Sequence, residues 1–188
     1  YGLIYDGIYT TDDFDQLPNG KYMLKDGVPS LKGTAREKVK PGDAKYKPVA
    51  GETDKDGNPV WSVNDRTVIG NAQPKFTGGW TNSFMYKGFD LSVFLNFSYG
   101  NEVINVSTSR FIGPYLPNQN NMKVMANRFV LIDPATGKEC TDLARLAELN
   151  PNQHKGGMMW NISENNKTAM TDRSSYFVED ASFLRINN

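Results

Sequence analysis

The sequence predicts an all-β fold: an open, curved, antiparallel sheet of the kind that forms part of a transmembrane β-barrel, with long outer loops and one short loop helix. Three observations lead there. Two consecutive segments, 76–86 and 89–99, each alternate apolar and polar residues over eleven positions. A two-residue turn, Lys87-Gly88, separates them. The composition supplies 10 Phe, 9 Tyr and 3 Trp beside 17 Gly and 10 Pro, a mixture that suits strands and turns better than helices.

The second segment is the clearest. In Phe89-Asp90-Leu91-Ser92-Val93-Phe94-Leu95-Asn96-Phe97-Ser98-Tyr99 every odd position is apolar or aromatic, and the even positions are polar except Phe94. In the first segment Phe76, Trp80, Phe84 and Tyr86 share one parity, while Thr77, Thr81 and Ser83 share the other. Gly88 at the second turn position accepts the positive φ that a tight hairpin requires. Eleven residues is about twice the usual globular strand but matches the roughly 9 to 11 needed to cross a bilayer at a tilt. The aromatic ends of both apolar rows would then form interfacial girdles, with Leu91, Val93 and Leu95 facing lipid between them. A long hairpin in a soluble, secreted β-sandwich or carbohydrate-binding module would show the same alternation. Pattern alone keeps both architectures open.

Two further strands are expected near 1–9 and 176–187, where Leu184 and Ile186 alternate with Arg185 and Asn187. Between the strands lie two long connections, 10–75 and 100–175, far beyond the roughly 12 to 15 residues tolerated as plain loops in a compact domain. A barrel accommodates them, because its turns are short on one side of the membrane and its loops long on the other. Within the second connection, Thr141 to Leu149 predicts the short helix, with Thr141 as cap, leucines at 143, 146 and 149, and Asn150-Pro151 as the stop. Its leucine stripe is expected to pack on the neighbouring connection.

Several function classes are excluded. With 21 basic and 21 acidic residues and no concentrated basic face, nucleic acid is not an expected partner. One cysteine, Cys140, and one histidine, His154, rule out an internal disulfide and a Cys/His zinc cluster, and Cys140 is expected as a small buried hydrophobe. No apolar run approaches the roughly 18 residues of a membrane helix. The opening Tyr1-Gly2-Leu3-Ile4, without Met or a basic leader region, is expected to be internal to a longer chain. No nucleophile elbow, metalloprotease motif or phosphate-cradling glycine loop is present, so neither an enzyme nor a cofactor is expected. The carboxylate pairs Asp12/Asp13 and Glu179/Asp180 are adjacent, which on a strand points them to opposite faces. Asp54, Asp56 and Asn58 offer oxygens, but Gly57 falls at the fourth loop position instead of the sixth, so this segment predicts an Asp-Gly surface turn and no metal site. Phe111, Tyr115 and Trp160, all in the second connection, are the candidate substrate-binding residues, because aromatic faces suit the apolar faces of sugar rings.

An ordered set of motifs spans nearly the whole chain: Tyr5-Asp6-Gly7-Ile8-Tyr9, Pro41-Gly42-Asp43-Ala44-Lys45-Tyr46, Asp65-Arg66-Thr67-Val68-Ile69-Gly70-Asn71, Pro74-Lys75-Phe76-Thr77-Gly78-Gly79, Tyr86-Lys87-Gly88-Phe89-Asp90-Leu91, Tyr99-Gly100-Asn101 and Tyr176 to Arg185. Together they resemble the C-terminal part of the SusC/RagA family of TonB-linked outer-membrane proteins. The stretch after Tyr46 departs from that family, whose acidic D-x-N-x-D-G pattern is rearranged here. The resemblance implies a plugged barrel of about 22 strands. It further implies import of glycans, peptides or other oligomeric nutrients, a SusD-like lipoprotein lid and energy from a TonB complex. The implied setting is the outer membrane of a Bacteroidota-like bacterium, with outer-membrane lipid around the wall. The plug, the TonB-contacting segment and most strands would lie outside these residues.

Overall fold

The computed structural model describes residues 1–112, 118, 120–163, 166 and 173–187. Short strands come first: β1 (Tyr5–Ile8), β2 (Phe14–Gln16), β3 (Tyr22–Leu24), β4 (Ser30–Leu31), β5 (Ala44–Tyr46) and β6 (Val60–Trp61). The long hairpin follows as β7 (Phe76–Tyr86) and β8 (Phe89–Tyr99). Then come β9 (Glu102–Ile104), helix α1 (Val106–Phe111), the small hairpin β10 (Ile132–Asp133) and β11 (Lys138–Glu139), and helix α2 (Leu143–Leu149). The chain closes with β12 (Val178–Asp180) and β13 (Phe183–Asn187). The fold is all-β and mainly antiparallel; the β4–β6 pair runs parallel.

The hairpin has the predicted boundaries. β7 and β8 pair without a register break from Phe76 opposite Tyr99 to Tyr86 opposite Phe89. Lys87 and Gly88 both take positive φ, 46° and 82°, the mirror-image turn whose twist matches that of the flanking strands. β13 lies along the other edge of β8, with Leu184 opposite Phe97 and Ile186 opposite Leu95. The result is an open three-stranded sheet in the order β13-β8-β7.

The first expected strand differs. Only Tyr5–Ile8 is extended, and it pairs with β5 instead of joining the hairpin. Gly7, at φ +92°, interrupts the register between Tyr5 and Ile8, and Ile8 and Tyr9 turn into a buried core. The segment 176–187 also divides: Ser175–Phe177 forms a 3-10 turn, and the chain then enters β12 and β13 as separate strands.

The two connections are not loops lying apart. They fold onto each other around one apolar core, to which the first contributes Phe14, Leu24 and Tyr46 and the second Ile112, Phe129 and Trp160. Polar side chains cross the seam between them. Thr11 N–H donates to Gln153 Oε1 at 2.9 Å, and Gln153 Nε2 donates back to Thr11 Oγ1 at 2.9 Å. Asp43, 4 % exposed, accepts hydrogen bonds from Asn161 Nδ2 at 2.9 Å and Ser163 Oγ at 2.8 Å, and from its own connection's Lys40 N–H at 2.9 Å. Beside it Gly42 sits at φ +81°, and a Cβ there would stand 2.4 Å from the Phe129 ring, so only glycine lets the two segments meet.

Among the described residues two helices occur where one was expected. α2 is capped by Asp142, whose side chain accepts from Ala144 N–H, one residue after the expected Thr141. Leu146 is fully buried in the core. α1 is capped by Asn105, which accepts from Thr108 N–H at 3.0 Å; its Val, Ser and Thr residues are weak helix formers and gave no helical signal.

A two-stranded ladder joins sheet and module. β8 pairs with β13, and past a one-step interruption β9 pairs with β12, Val178 opposite Ile104 and Asp180 opposite Glu102. At the interruption Gly100 N–H donates to Ser182 Oγ and Ala181 N–H to the Asn101 carbonyl, so the backbone stays paired across the break.

Candidate functional site

The sheet's two faces are chemically opposite. The face carrying Phe76, Trp80, Phe84, Leu91, Leu184 and Ile186 is open: Trp80 is 61 % exposed, Leu184 69 % and Ile186 72 %. The other face carries Thr77, Thr81, Ser83, Ser92, Asn96 and Arg185, with Met85, Phe94 and Phe183 as its large apolar side chains. Ser83 and Ser92 hydroxyls stand 3.4 Å apart across the strands. Soluble sheets cover such an apolar face with a second sheet about 10 Å away. Here the large side chains remain exposed.

Aromatic rings fix the ends and the middle of this sheet. Phe76 stacks on Tyr99 with centroids 5.1 Å apart, and at the turn Lys87 Nζ lies 5.3 Å from the Tyr86 ring centre. A Cβ on Gly78 would come within 2.6 Å of the Phe97 ring, so that ring lies across bare backbone. On the polar face Phe94 lies likewise over Gly79. Each eleven-residue strand is about 36 Å long, which at a 45° tilt spans about 25 Å, the height of a barrel's apolar band. Asn82 is the exception on the apolar face: it is the one carboxamide there among the described residues, it lies opposite Val93, and its side chain makes no hydrogen bond among them.

The module carries two depressions. A groove of about 800 Å³ is lined by Phe129, Leu131, Ile132 and Ile162, with Lys40, Arg128 and Glu139 at its rim; Lys40 and Glu139 are paired at 2.7 Å. A pocket of about 410 Å³ is lined by Tyr5, Tyr176, Thr10, Gln153, His154 and Met158. Burial raises the Tyr5 phenol above its ordinary pKa, and the neighbouring Tyr176 and Tyr46 phenols add to the shift, so Tyr5 is a neutral donor and not a base.

Of the three sequence-predicted aromatic residues, the structure describes Phe111 and Trp160. Phe111 ends α1 and is half-exposed. Trp160 is 1 % exposed, its ring held edge-on by Tyr5 at 5.8 Å and Tyr176 at 4.9 Å, so it builds the module core. Tyr115 lies outside the described residues. The rings that do border a pocket, Tyr5 and Tyr176, belong to motifs 171 positions apart in the sequence, and neither motif announces the other.

The carboxylates act mostly as local caps. Asp54 Oδ1 accepts from the backbone of Asp56 and Asn58 at 2.9 and 2.8 Å, which closes the Asp-Gly surface turn. Asp13 accepts from Thr10 N–H at 2.8 Å, Asp180 from Ser182 N–H at 2.8 Å, and Glu179 from Asn105 Nδ2 at 2.9 Å. Cys140 is buried, with its sulfur 3.5 Å from the Asp142 carbonyl oxygen. No helix among the described residues is long and apolar enough to cross a membrane.

No protein-family model matches the chain. Two curated proteins of Formosa agariphila are similar to it. TonB-dependent receptor P3 is 29 % identical over 135 residues, covering 66 % of this chain and 12 % of the relative. TonB-dependent receptor P39 is 33 % identical over 104 residues, covering 52 % of this chain and 9 % of the relative. The similarity is to TonB-dependent receptors. The chain spans about a tenth of the length of each receptor.

Proposed function

We propose that the chain is a wall segment of a TonB-dependent importer in a bacterial outer membrane. The carrying observation is the open sheet: eleven-residue strands, one face apolar and exposed, the other polar. In this reading β7 and β8 span the bilayer and β13 extends along β8 for part of that height, with the apolar face on lipid and the polar face on the lumen. The Lys87-Gly88 turn lies on the periplasmic side, and the module folded from 10–75 and 100–175 stands at the outer mouth. Its work is to complete the wall and shape the entrance. The similarity to two TonB-dependent receptors supports the energy source, a TonB complex engaging parts of the receptor beyond this segment.

The ordered motifs support a finer reading, a SusC/RagA-type importer of glycans or other oligomeric nutrients in a Bacteroidota-like bacterium, closed by a SusD-like lipoprotein lid. Phe111 and Tyr115 are the residues through which the module would meet substrate. Trp160 would act through Tyr5 and Tyr176, whose rings it holds beside the 410 Å³ pocket.

Single cysteines test the membrane assignment in the full receptor, in isolated outer membranes. Val93→Cys is expected to resist a hydrophilic maleimide, because its side chain faces hydrocarbon. Ser92→Cys, one residue away on the opposite face, is expected to react through the aqueous lumen. Equal labelling at both positions would refute the assignment.

A further inference from the structure

The turn between β2 and β3 carries a chemistry of its own. Leu17-Pro18-Asn19-Gly20-Lys21 closes that hairpin, with Gly20 N–H donating to the Leu17 carbonyl at 3.0 Å and Leu17 N–H to the Lys21 carbonyl at 2.7 Å. Pro18, Asn19, Gly20 and Lys21 are exposed. Asn19 is the one asparagine in the sequence that precedes a glycine. Gly20 takes φ +77°, and apart from its chain neighbours nothing lies within 4 Å of where its Cβ would stand, so the place that a side chain would fill is open. Lys21 N–H donates to Asn19 Oδ1 at 2.9 Å. That hydrogen bond closes a ring containing both Asn19 Cγ and Gly20 N, which keeps the carboxamide beside the nitrogen of the next residue. It also puts a donor on the oxygen where negative charge develops when that nitrogen adds to Cγ. Asp6, Asp26 and Asp56 precede glycine too, but a carboxylate is a far poorer electrophile than a carboxamide.

We infer that Asn19 is a site of spontaneous covalent modification: deamidation through a cyclic imide, with Gly20 N as the nucleophile and water as the co-reactant. Gly20 N gives its proton to hydroxide and attacks Asn19 Cγ, and the negative charge passes to Oδ1, where Lys21 N–H holds it. The Cγ–Nδ2 bond then breaks; Nδ2 takes a proton from water, which restores the hydroxide, and leaves as ammonia. Water opens the remaining imide at either carbonyl. Attack at Cγ gives aspartate, and attack at the main-chain carbonyl of residue 19 gives isoaspartate, in which the chain runs through Cβ and Cγ. The Gly20 N–H bond to the Leu17 carbonyl is the brake, because the nitrogen attacks only while that bond is open. Both products exchange a neutral amide for an anion, and isoaspartate adds a methylene to the main chain of the turn. The turn bears on the second connection: Gln16 Nε2 donates to the Lys21 carbonyl at 2.9 Å and to the Thr141 carbonyl at 3.2 Å, and Gln16 Oε1 accepts from Leu143 N–H at 2.9 Å. Modification at Asn19 thereby loosens the clasp between this hairpin and the start of α2. The inference stands independently of the membrane assignment of the sheet.

The test incubates outer membranes carrying the full receptor in neutral and mildly alkaline buffer for days. Samples are digested at acid pH, which halts the reaction, and every asparagine is followed by mass spectrometry with fragmentation that separates aspartate from isoaspartate. Asn19 is expected to lose its amide about tenfold or more faster than any other asparagine, to yield isoaspartate beside aspartate, and to react in proportion to hydroxide. Gly20→Ala sets a methyl group beside the attacking nitrogen and is expected to slow the reaction by about tenfold or more, an effect of local crowding that persists even where the turn is disturbed. Lys21→Ala keeps the backbone N–H on Oδ1 and is expected to react as the wild type does. An Asn19 that outlasts the other asparagines, that yields no isoaspartate, or that reacts as fast in Gly20→Ala as in the wild type overturns the inference.

Discussion

The sheet and the module are built from one chain but sort their side chains in opposite directions. In the module, Trp160, Phe129 and Leu146 are at most 1 % exposed, and buried polar side chains such as Asp43, Gln153 and Asn161 lie in paired networks. In the sheet, Phe89 is 80 % and Ile186 72 % exposed while the serines and threonines gather on the other side. With the sheet in the proposed wall, a single amino-acid composition would serve two solvents. The module follows the rule for water, where removing apolar area from solvent drives folding. The sheet keeps its apolar area outward, which is favourable only where the surroundings are themselves apolar. The difference teaches that burial reports the solvent an element expects, and that the long connections carry a core of their own.

The strongest way to break this comparison is to remove a module anchor. Trp160→Ala should destabilise the module by about 3–5 kcal/mol, the cost of emptying a buried aromatic site. Limited proteolysis of the receptor should then cut between 100 and 175 much faster, while the β7–β8 hairpin stays protected; equal loosening of both regions would show that they are not separate cores. The reverse substitution addresses the sheet. Val93→Arg should cost about 2–4 kcal/mol in refolding into bilayers, and Ser92→Arg close to nothing, since the first places a cation in the apolar band and the second in the lumen.

A smaller effect is expected at the seam. Asp43→Asn keeps the shape but turns an acceptor into a donor facing either Lys40 N–H or the Asn161 and Ser163 donors, and should cost about 1–3 kcal/mol in urea unfolding of the module. The smallest concerns pH. The Arg145 guanidinium, 3.1 Å from Asp133, and the Ala135 N–H hold the Asp133 carboxyl below the usual carboxylate range. Because the folded value is the lower one, this contribution is complete above about pH 4, the value of a free aspartate, and is lost as pH falls further. Wild-type melting temperature should therefore drop slightly more than that of Asp133→Asn over that acid range; parallel curves would remove the ion pair from the balance.

Legibility in the sequence followed the same division. The hairpin could be read to the residue, because alternation over eleven positions and a Lys-Gly turn leave one register. The module could not. Its strands are two to four residues long, too short to show a period, and its core joins residues such as Tyr46 and Trp160 that no local rule connects. The motifs Pro41 to Tyr46 and Tyr176 to Arg185 were visible as strings, but their work as the seam and as the passage from core to sheet appears only in three dimensions. Trp160 shows the limit most directly: an aromatic residue in a long connection has the same sequence signature whether it meets a ligand or a core. Asn82 shows the converse, a departure within a regular row whose meaning depends on what surrounds the sheet.

The ladder that runs from β8 and β13 into β9 and β12 also sets how the molecule responds to load. Its hydrogen bonds lie across the strand direction, so tension applied along the strands shears many of them together instead of peeling them one at a time. The Gly100 and Ser182 contact keeps the two lengths of ladder in series. A twist of the sheet would thereby reach the module as a rotation of its base, with the sheet as lever and the module as the arm that it turns.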